Sequence, residues 1–414
     1  MQQYGDGRAH AHRIDRARDN DSDLFSPVTD RMIARVAGKP PVTGAWLVGD
    51  PPGRRQFVHV GKQDLEFGGH LDCVRVAYET WGELNADHSN AVLVLHALTG
   101  DSHVAGVREL GHHTAGWWAD QIGPGRPIDT DRFYVVCANV LGGCQGTTGP
   151  STMRPSGQPW GSQFPYVSIR DIVHASHNFS TTLGIDRWHT VIGPSMGGMQ
   201  ALEWAIMYPD DVERLVVIAA PAVTSADRIA VNSVQVDMIR SDPDYLGGDY
   251  YDLPEGRGPW HSLALARRVA VTSYRSAEEF NTRFGRSAQS GVSPLGKGGR
   301  FAIESYLDFH GNKFTRRFDA NTYITMLEAM NSHDIGRDRG GVVEALGSIT
   351  AKSLVVGIDS DRLYGIDEQH AIVAGLRTHI AGDEAVVVHS PYGHDSFLIE
   401  REAIGAQLER ILAA

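Results

Sequence analysis

The sequence predicts an α/β fold, a mostly parallel central sheet flanked by helices with a helical lid inserted late in the chain. Three observations carry that expectation. Short apolar, β-branched runs recur between helix-like stretches, as strands buried on both faces of a parallel sheet require. One long interval, from about Val223 to Leu346, has no such run. And a single serine, Ser195, stands among glycines where a strand-like run meets a helix-like one.

The elements follow in chain order. The leader MQQYGDGRAHAHRIDRARDNDSDLF mixes Arg, Asp, His and Asn with few apolar residues, so residues 1–40 are expected to be a disordered leader outside the fold. It has no apolar core of the kind a signal peptide needs. His10 and His12 read as part of a solvated tail, because a metal site needs more ligands in fixed geometry. QDLEFGG and CVRVAYETWG alternate in period two and predict an antiparallel start to the sheet. AVLVL from Ala91, FYVVCA from Phe133, HTVIG from His189, RLVVIAA from Arg214, SLVVGI from Ser353 and AVVVH from Ala385 predict the buried strands. Between Val223 and Leu346 the patterns turn helical. Phe280 and Phe284 sit four apart, and Ile303, Tyr306 and Leu307 repeat at helical spacing. The expected organisation is a core of residues 41–222 and 347–414, with residues 223–346 as a helical lid. That lid would cover the carboxyl ends of the strands, where open α/β sheets bind ligands.

Composition narrows the partners. The chain has 414 residues, 42% apolar and 21% charged, as soluble globular proteins do. A net charge of −12 without a long Lys/Arg run argues against nucleic acid and anionic membranes. Its longest apolar runs are strand-sized, well short of the ~20 residues of a membrane helix. Cys73, Cys137 and Cys144 suggest free thiols in a reducing compartment, so a cytoplasmic protein is expected.

Gly193-Pro194-Ser195-Met196-Gly197 fits the G-x-S-x-G elbow, in which small neighbours let a sharp turn expose a serine hydroxyl. The helix behind it favours negative charge developing beside Ser195. A serine is a weak nucleophile without a base, and here the acid and then the histidine should follow it in the chain. HSPYGHDSFLIE puts His394 in the loop after the last strand-like run. SLVVGIDSDRLYG supplies two candidate acids, Asp359 and Asp361, between which spacing does not choose. The oxyanion of an attacked carbonyl needs two backbone donors. One is the amide of Met196; the other should come from the loop in VLHALTGDSH. His96 in that segment reads as a backbone anchor rather than a second base. No metal is expected.

Several longer motifs add to this reading. LHALTGDSH, GPGRPIDTDRFYVVCANVLGGCQGTTGPS, FPYVSIRD, GPSMGGMQALEW, NSHDIGRDRGG, SDRLYG and YGHDSFLIE occur in order from about Gln56 onward. In these the chain resembles the homoserine O-acetyltransferases, α/β-hydrolase-fold acyltransferases of methionine biosynthesis. The resemblance implies Ser195 as nucleophile, Asp361 as the acid and His394 as the base. It implies the amides of Leu98 and Met196 as the oxyanion hole, and Arg267 and Asp395 as substrate-binding residues. Homoserine is a zwitterion, which an arginine fork and an aspartate beside the base would suit. Gly365 stands where many relatives carry proline and Pro194 where many carry glycine; neither change removes a reacting group.

The reaction so implied is a ping-pong transfer of acetyl from acetyl-CoA, as co-substrate, to L-homoserine. No permanently bound cofactor is implied, and a homodimer formed through the helical insertion is. Three other readings compete. The same family could use succinyl-CoA or a serine acceptor. A plain esterase or thioesterase would have no use for Arg267 and Asp395. A non-catalytic binding protein would have no use for an intact Ser, Asp and His set.

Overall fold

The computed structural model describes residues 34–296 and 298–414. His10, His12 and most of the expected leader lie outside the described residues. The end of that leader is bonded to the fold: the Arg316 guanidinium donates to the carbonyls of Ala34, Ala37 and Gly38.

The strands among the described residues are β1 (Gln56–Asp64), β2 (His70–Trp81), β3 (Ala91–Val94), β4 (Ile122–Gly123), β5 (Ile128–Asp129), β6 (Tyr134–Ala138), β7 (Thr190–Pro194), β8 (Arg214–Ile218), β9 (Lys352–Ile358) and β10 (Val386–Val388). Eight form one sheet in the order β1-β2-β6-β3-β7-β8-β9-β10, while β4 and β5 pair separately. From β6 to β10 the pairing is parallel; β1 and β2 run antiparallel.

The antiparallel start begins seven residues earlier than expected, at Gln56 rather than Gln63. QDLEFGG is mostly the hairpin turn rather than a strand. β1 ends at Asp64, and the Leu65 amide closes the turn onto the Gly69 carbonyl at 3.1 Å. Gly68 and Gly69 have φ of 94° and 83°, a conformation that suits only residues without a Cβ. The strand that pairs is QFVHVGKQD, largely exposed and therefore weak in apolar periodicity.

The α-helices that lie wholly within the described residues are α1 (Ile169–Thr182), α2 (Met196–Met207), α3 (Ala226–Arg240), α4 (Trp260–Tyr274), α5 (Ala277–Arg283), α6 (Ala302–Thr315), α7 (Ala320–Asn331), α8 (Val342–Gly347), α9 (Ile366–Gly375), α10 (Ser396–Ile399) and α11 (Arg401–Leu412). Side chains set several starts. Ser168 and Asp171 form a reciprocal capping box at α1, and Ser225, Ser276 and Asp319 cap α3, α5 and α7.

Apolar side chains alternate between the two faces of the sheet. Leu93, Val136, Val191 and Leu215 pack with Phe179 of α1 and Met199 and Trp204 of α2. Val92, Val135, Ile192 and Val216 pack on the other side with Ile404, Leu408 and Ile411 of α11. Cys137 and Cys144 are buried, Cys73 is exposed, and all three are free thiols.

Helices α3–α8 lie between β8 and β9. α4 and α6 pack closely at Gly311, where a Cβ would stand 2.7 Å from the Ala264 carbonyl oxygen. The end of α4 also meets the loop after β10. A Cβ on Gly393 would lie 2.7 Å from the Tyr274 carbonyl oxygen, and Ser276 donates to the Pro391 carbonyl. No helix is long and apolar enough to cross a membrane among the described residues.

Candidate active site

β7 delivers Ser195 at its carboxyl end, and α2 begins with the next residue. Ser195 has φ 56° and ψ −126°, a strained conformation costing about 1–3 kcal/mol that the surroundings must hold in place. The glycines are required by contact. A Cβ on Gly193 would sit 1.9 Å from the Gly197 oxygen, and one on Gly197 would sit 2.1 Å from the Leu95 oxygen. The Ser195 amide is held by the Ile218 carbonyl of β8 at 2.9 Å.

A chain of hydrogen bonds leads away from the serine. Ser195 Oγ lies 2.8 Å from His394 Nε2, and His394 Nδ1 lies 2.7 Å from Asp361 Oδ2. The other Asp361 oxygen accepts from the amides of Leu363 at 2.7 Å and Tyr364 at 3.1 Å, which fixes the carboxylate. With Nδ1–H donating to Asp361, Nε2 is left as the acceptor for the serine proton. All three residues are buried. Burial opposes charge on His394, but the Asp361 carboxylate, with Asp395 behind it, outweighs burial and raises its pKa above the ordinary value.

Asp359 is elsewhere. One of its oxygens faces His389 Nδ1 at 2.8 Å and the other accepts from the Ser390 amide at 3.0 Å, tying the ends of β9 and β10 together. Of the two acids that spacing left open, Asp361 is the one joined to His394.

The amides of Leu98 and Met196 donate no hydrogen bond among the described residues, and Leu98 shares the cavity wall with Ser195. The Leu98 turn is held from both sides. Gly100 N closes it onto the Ala97 carbonyl at 2.9 Å. His96 Nε2 accepts from the Val140 amide at 3.2 Å, so Nδ1 carries the proton and donates to the Ala97 carbonyl at 2.8 Å. Burial lowers the His96 pKa, which keeps it in this neutral form. Gln200 of α2 bridges the carbonyls of His96 and Met196 at 3.3 and 3.2 Å. His96 is thus an anchor for the loop, not a base.

The cavity over Ser195 has a volume of about 180 Å³, and Arg267 and Asp395 both line it. The Arg267 guanidinium lies 5.1 Å from the Tyr274 ring centre and 5.0 Å from that of Phe314. Its Nη1 is buried and has no hydrogen-bond partner among the described residues. Arg267 is half-buried, and a buried donor left unmet at the cavity wall suits an anion from outside the chain. Asp395 pairs with Arg275 Nε at 3.0 Å.

Two residues at this site escaped the sequence reading. Arg275 is the partner of Asp395, and Arg317 lines the same cavity with its Nη1 donating to the Thr99 carbonyl at 2.8 Å. Both stand in ordinary-looking stretches, SYRS and FTRRF, and only folding brings them here.

Among the described residues one cluster has metal-ligand types: Glu79, His103 and His112, all buried. Apart from His112 Nδ1, which has no partner among the described residues, its ligand-type nitrogens and the carboxylate are already engaged. Glu79 accepts from Ser102 Oγ at 2.8 Å and faces His103 Nδ1 at 2.9 Å, while His112 Nε2 accepts from the Arg54 amide at 3.2 Å. The two imidazole rings stack 3.7 Å apart at 12°, so their in-plane lone pairs run side by side rather than converge. The cluster is a hydrogen-bonded support beneath the loop carrying Asp101 and Ser102.

Comparison with known proteins places this geometry. Residues 90–400 match the family model described as the alpha/beta hydrolase fold. A protein of Leifsonia xyli subsp. xyli named homoserine O-acetyltransferase is 57% identical over 387 residues, 94% of this chain and 96% of that one. The chain belongs to the homoserine O-acetyltransferase family. Two solved structures are similar in shape. The homoserine O-acetyltransferase from Bacillus anthracis aligns with a TM-score of 0.79 and 26% identity over 87% of this chain and 97% of that one. Esterase E22 aligns with a TM-score of 0.78 and 27% identity over 86% of this chain and 99% of that one. A homoserine O-acetyltransferase and an esterase therefore share this scaffold. Transfer and hydrolysis must be separated by what else the cavity holds.

Proposed function

We propose that the chain transfers the acetyl group of acetyl-CoA to the hydroxyl of L-homoserine through an acetyl-Ser195 intermediate. The observation that carries transfer over hydrolysis is the charge on the cavity wall. The Arg267 guanidinium, with its buried Nη1 unpartnered among the described residues, suits an α-carboxylate, and Asp395, one residue from the base, suits an α-ammonium. An esterase working on uncharged groups would have no use for that donor.

In the first half-reaction His394 Nε2 takes the Ser195 proton as Oγ attacks the thioester carbonyl. The free amides of Leu98 and Met196 receive the oxyanion. The C–S bond breaks, CoA leaves as its thiol with the proton from His394, and acetyl-Ser195 remains. In the second, homoserine is clamped by its two charges, and its hydroxyl gives a proton to His394 while attacking the ester; the bond between the acetyl carbon and Ser195 Oγ then breaks, Oγ takes the proton back from His394, and O-acetylhomoserine leaves. Asp361 steadies the imidazolium in both halves. Clamping supplies the effective concentration that lets an alcohol outrun water. For its oligomeric state we propose a homodimer through the α3–α8 segment, which leaves Ile229 and Val234 of α3 exposed in a single copy.

The test is CoA release from acetyl-CoA and from succinyl-CoA, each with homoserine, serine or no acceptor. The proposal expects fast turnover only with acetyl-CoA and homoserine together. Release that ignores the acceptor would make the protein a hydrolase. Preference for succinyl-CoA or serine would move it to another substrate pair.

A further inference from the structure

The cavity over Ser195 continues outward along a wall that turns basic. It shares Thr99, Gly100, Trp117, Arg267 and Arg317 with a second cavity of about 150 Å³. That one shares Thr114, Lys313 and Arg317 with a third of about 240 Å³, also lined by Arg108 and Arg316. Ser195 at one end is buried, whereas Lys313 and Arg108 at the other are exposed. The shared residues describe one corridor from the nucleophile to the surface.

Its charge is unusual for the molecule. The chain carries −12 overall, yet four cations, Arg108, Lys313, Arg316 and Arg317, gather on this wall. None of the four pairs with a carboxylate within ion-pair distance among the described residues. Arg316 spends its donors on backbone carbonyls and keeps its charge. Arg35, at the same end, is paired with Asp50 at 2.9 Å. Asp101 lines the middle of the corridor, flanked by the charges of Arg55 and Arg317. His113 and His310 add no charge near neutral pH: burial, with nearby cations, brings both down to about 4. Between the basic end and Ser195 the wall includes the rings of Trp117 and Phe314.

A thioester that acylates Ser195 must lead its leaving group out of this cavity. We infer that Arg108, Lys313, Arg316 and Arg317 bind the phosphate groups of the CoA nucleotide, with the uncharged pantetheine arm running past Trp117 and Phe314 to Ser195. This rests on the acetyl-CoA reading of the active site and extends it to a second recognition site on the donor. The physical role is the usual one for clustered cations: attraction of a polyanion and charge-assisted hydrogen bonds to phosphate oxygens.

The experiment compares two donors, acetyl-CoA and acetyl-pantetheine, which carries the same thioester without the nucleotide phosphates. Each is assayed with homoserine in the wild-type enzyme, in Lys313→Glu and in Arg108→Glu/Lys313→Glu. The expected result is that kcat/KM for acetyl-CoA falls about tenfold or more in the double variant, while that for acetyl-pantetheine changes less than about twofold. Raised salt should weaken acetyl-CoA use in the wild type and spare acetyl-pantetheine. Inorganic phosphate that inhibits both donors equally would show a general anion site and overturn the assignment. An equal fall for both donors, or none for acetyl-CoA, would overturn it too. If the wild type transfers acetyl to homoserine from neither donor, the functional reading itself fails and this inference falls with it.

Discussion

Asp361 Oδ2 lies 2.7 Å from His394 Nδ1, whereas Asp359, two residues earlier, turns to His389 at 2.8 Å. The two acids therefore have different expected phenotypes. Asp361→Asn should lower kcat by roughly a thousand- to ten-thousand-fold, because an amide there disfavours the Nδ1–H tautomer. Asp359→Asn should keep activity near wild type and cost a little stability, since it removes a link between two strand ends. Steady-state rates and melting curves of the pair check this, and a dead Asp359→Asn beside an active Asp361→Asn would reverse the assignment.

Ser195 couples activity to strain. Its φ of 56° is easy for glycine and strained for any residue with a Cβ. Ser195→Gly should abolish transfer and raise stability by about 1 kcal/mol, read as a higher Tm. A lower Tm would show that the elbow is not strained.

The pH dependence follows from His394. Burial pulls its pKa down, but the Asp361 carboxylate, helped by Asp395, pushes it above the ordinary 6.5. The base must be neutral to accept the serine proton, so kcat/KM with acetyl-CoA should rise with pH through a midpoint above 6.5. The same shift affects stability with the opposite sign. The folded state holds this proton more tightly than the unfolded one, so the gain is full below pH 6.5 and is lost as pH rises through the folded pKa. In Asp361→Asn burial is left with less opposition, and the acid limb of residual activity should move down. A limb that stays in place in that variant would show that another group controls it.

In the proposed mechanism Arg267 and Asp395 serve the acceptor half-reaction. Arg267→Lys and Asp395→Asn should each raise the KM for homoserine by about 10- to 100-fold. The acetylation half should suffer far less, measured as a burst of CoA without acceptor. Arg275 should act through Asp395: Arg275→Ala frees that carboxylate and should change homoserine KM rather than the burst. Losses that fall equally on both halves would remove the clamp.

The parts of this site that were legible in the sequence are those whose chemistry is local. The elbow needs glycines next to Ser195, and that need is written at 193, 197 and 198. The buried strands showed because a residue covered on both faces must be apolar. β1 did not show, because most of it faces solvent and has no such constraint. Asp359 and Asp361 looked alike because both follow β9; only the fold decides which one reaches a histidine 33 residues further on. Arg275 and Arg317 were invisible for the same reason. An arginine on a helical stretch reads as a surface charge until its partners, at positions 395 and 99, are known.

The proposed transfer requires that acetyl-Ser195 form and be emptied by homoserine faster than by water. Rapid mixing with acetyl-CoA, followed by mass spectrometry of quenched protein, measures it directly. Without acceptor, a burst of about one CoA per active site should leave one acetyl group on the peptide containing Ser195. Adding homoserine should clear that group at a rate matching turnover and yield O-acetylhomoserine. An acetyl group that clears at the same rate with and without homoserine, or one that never forms on Ser195, would rule out transfer to homoserine through acetyl-Ser195.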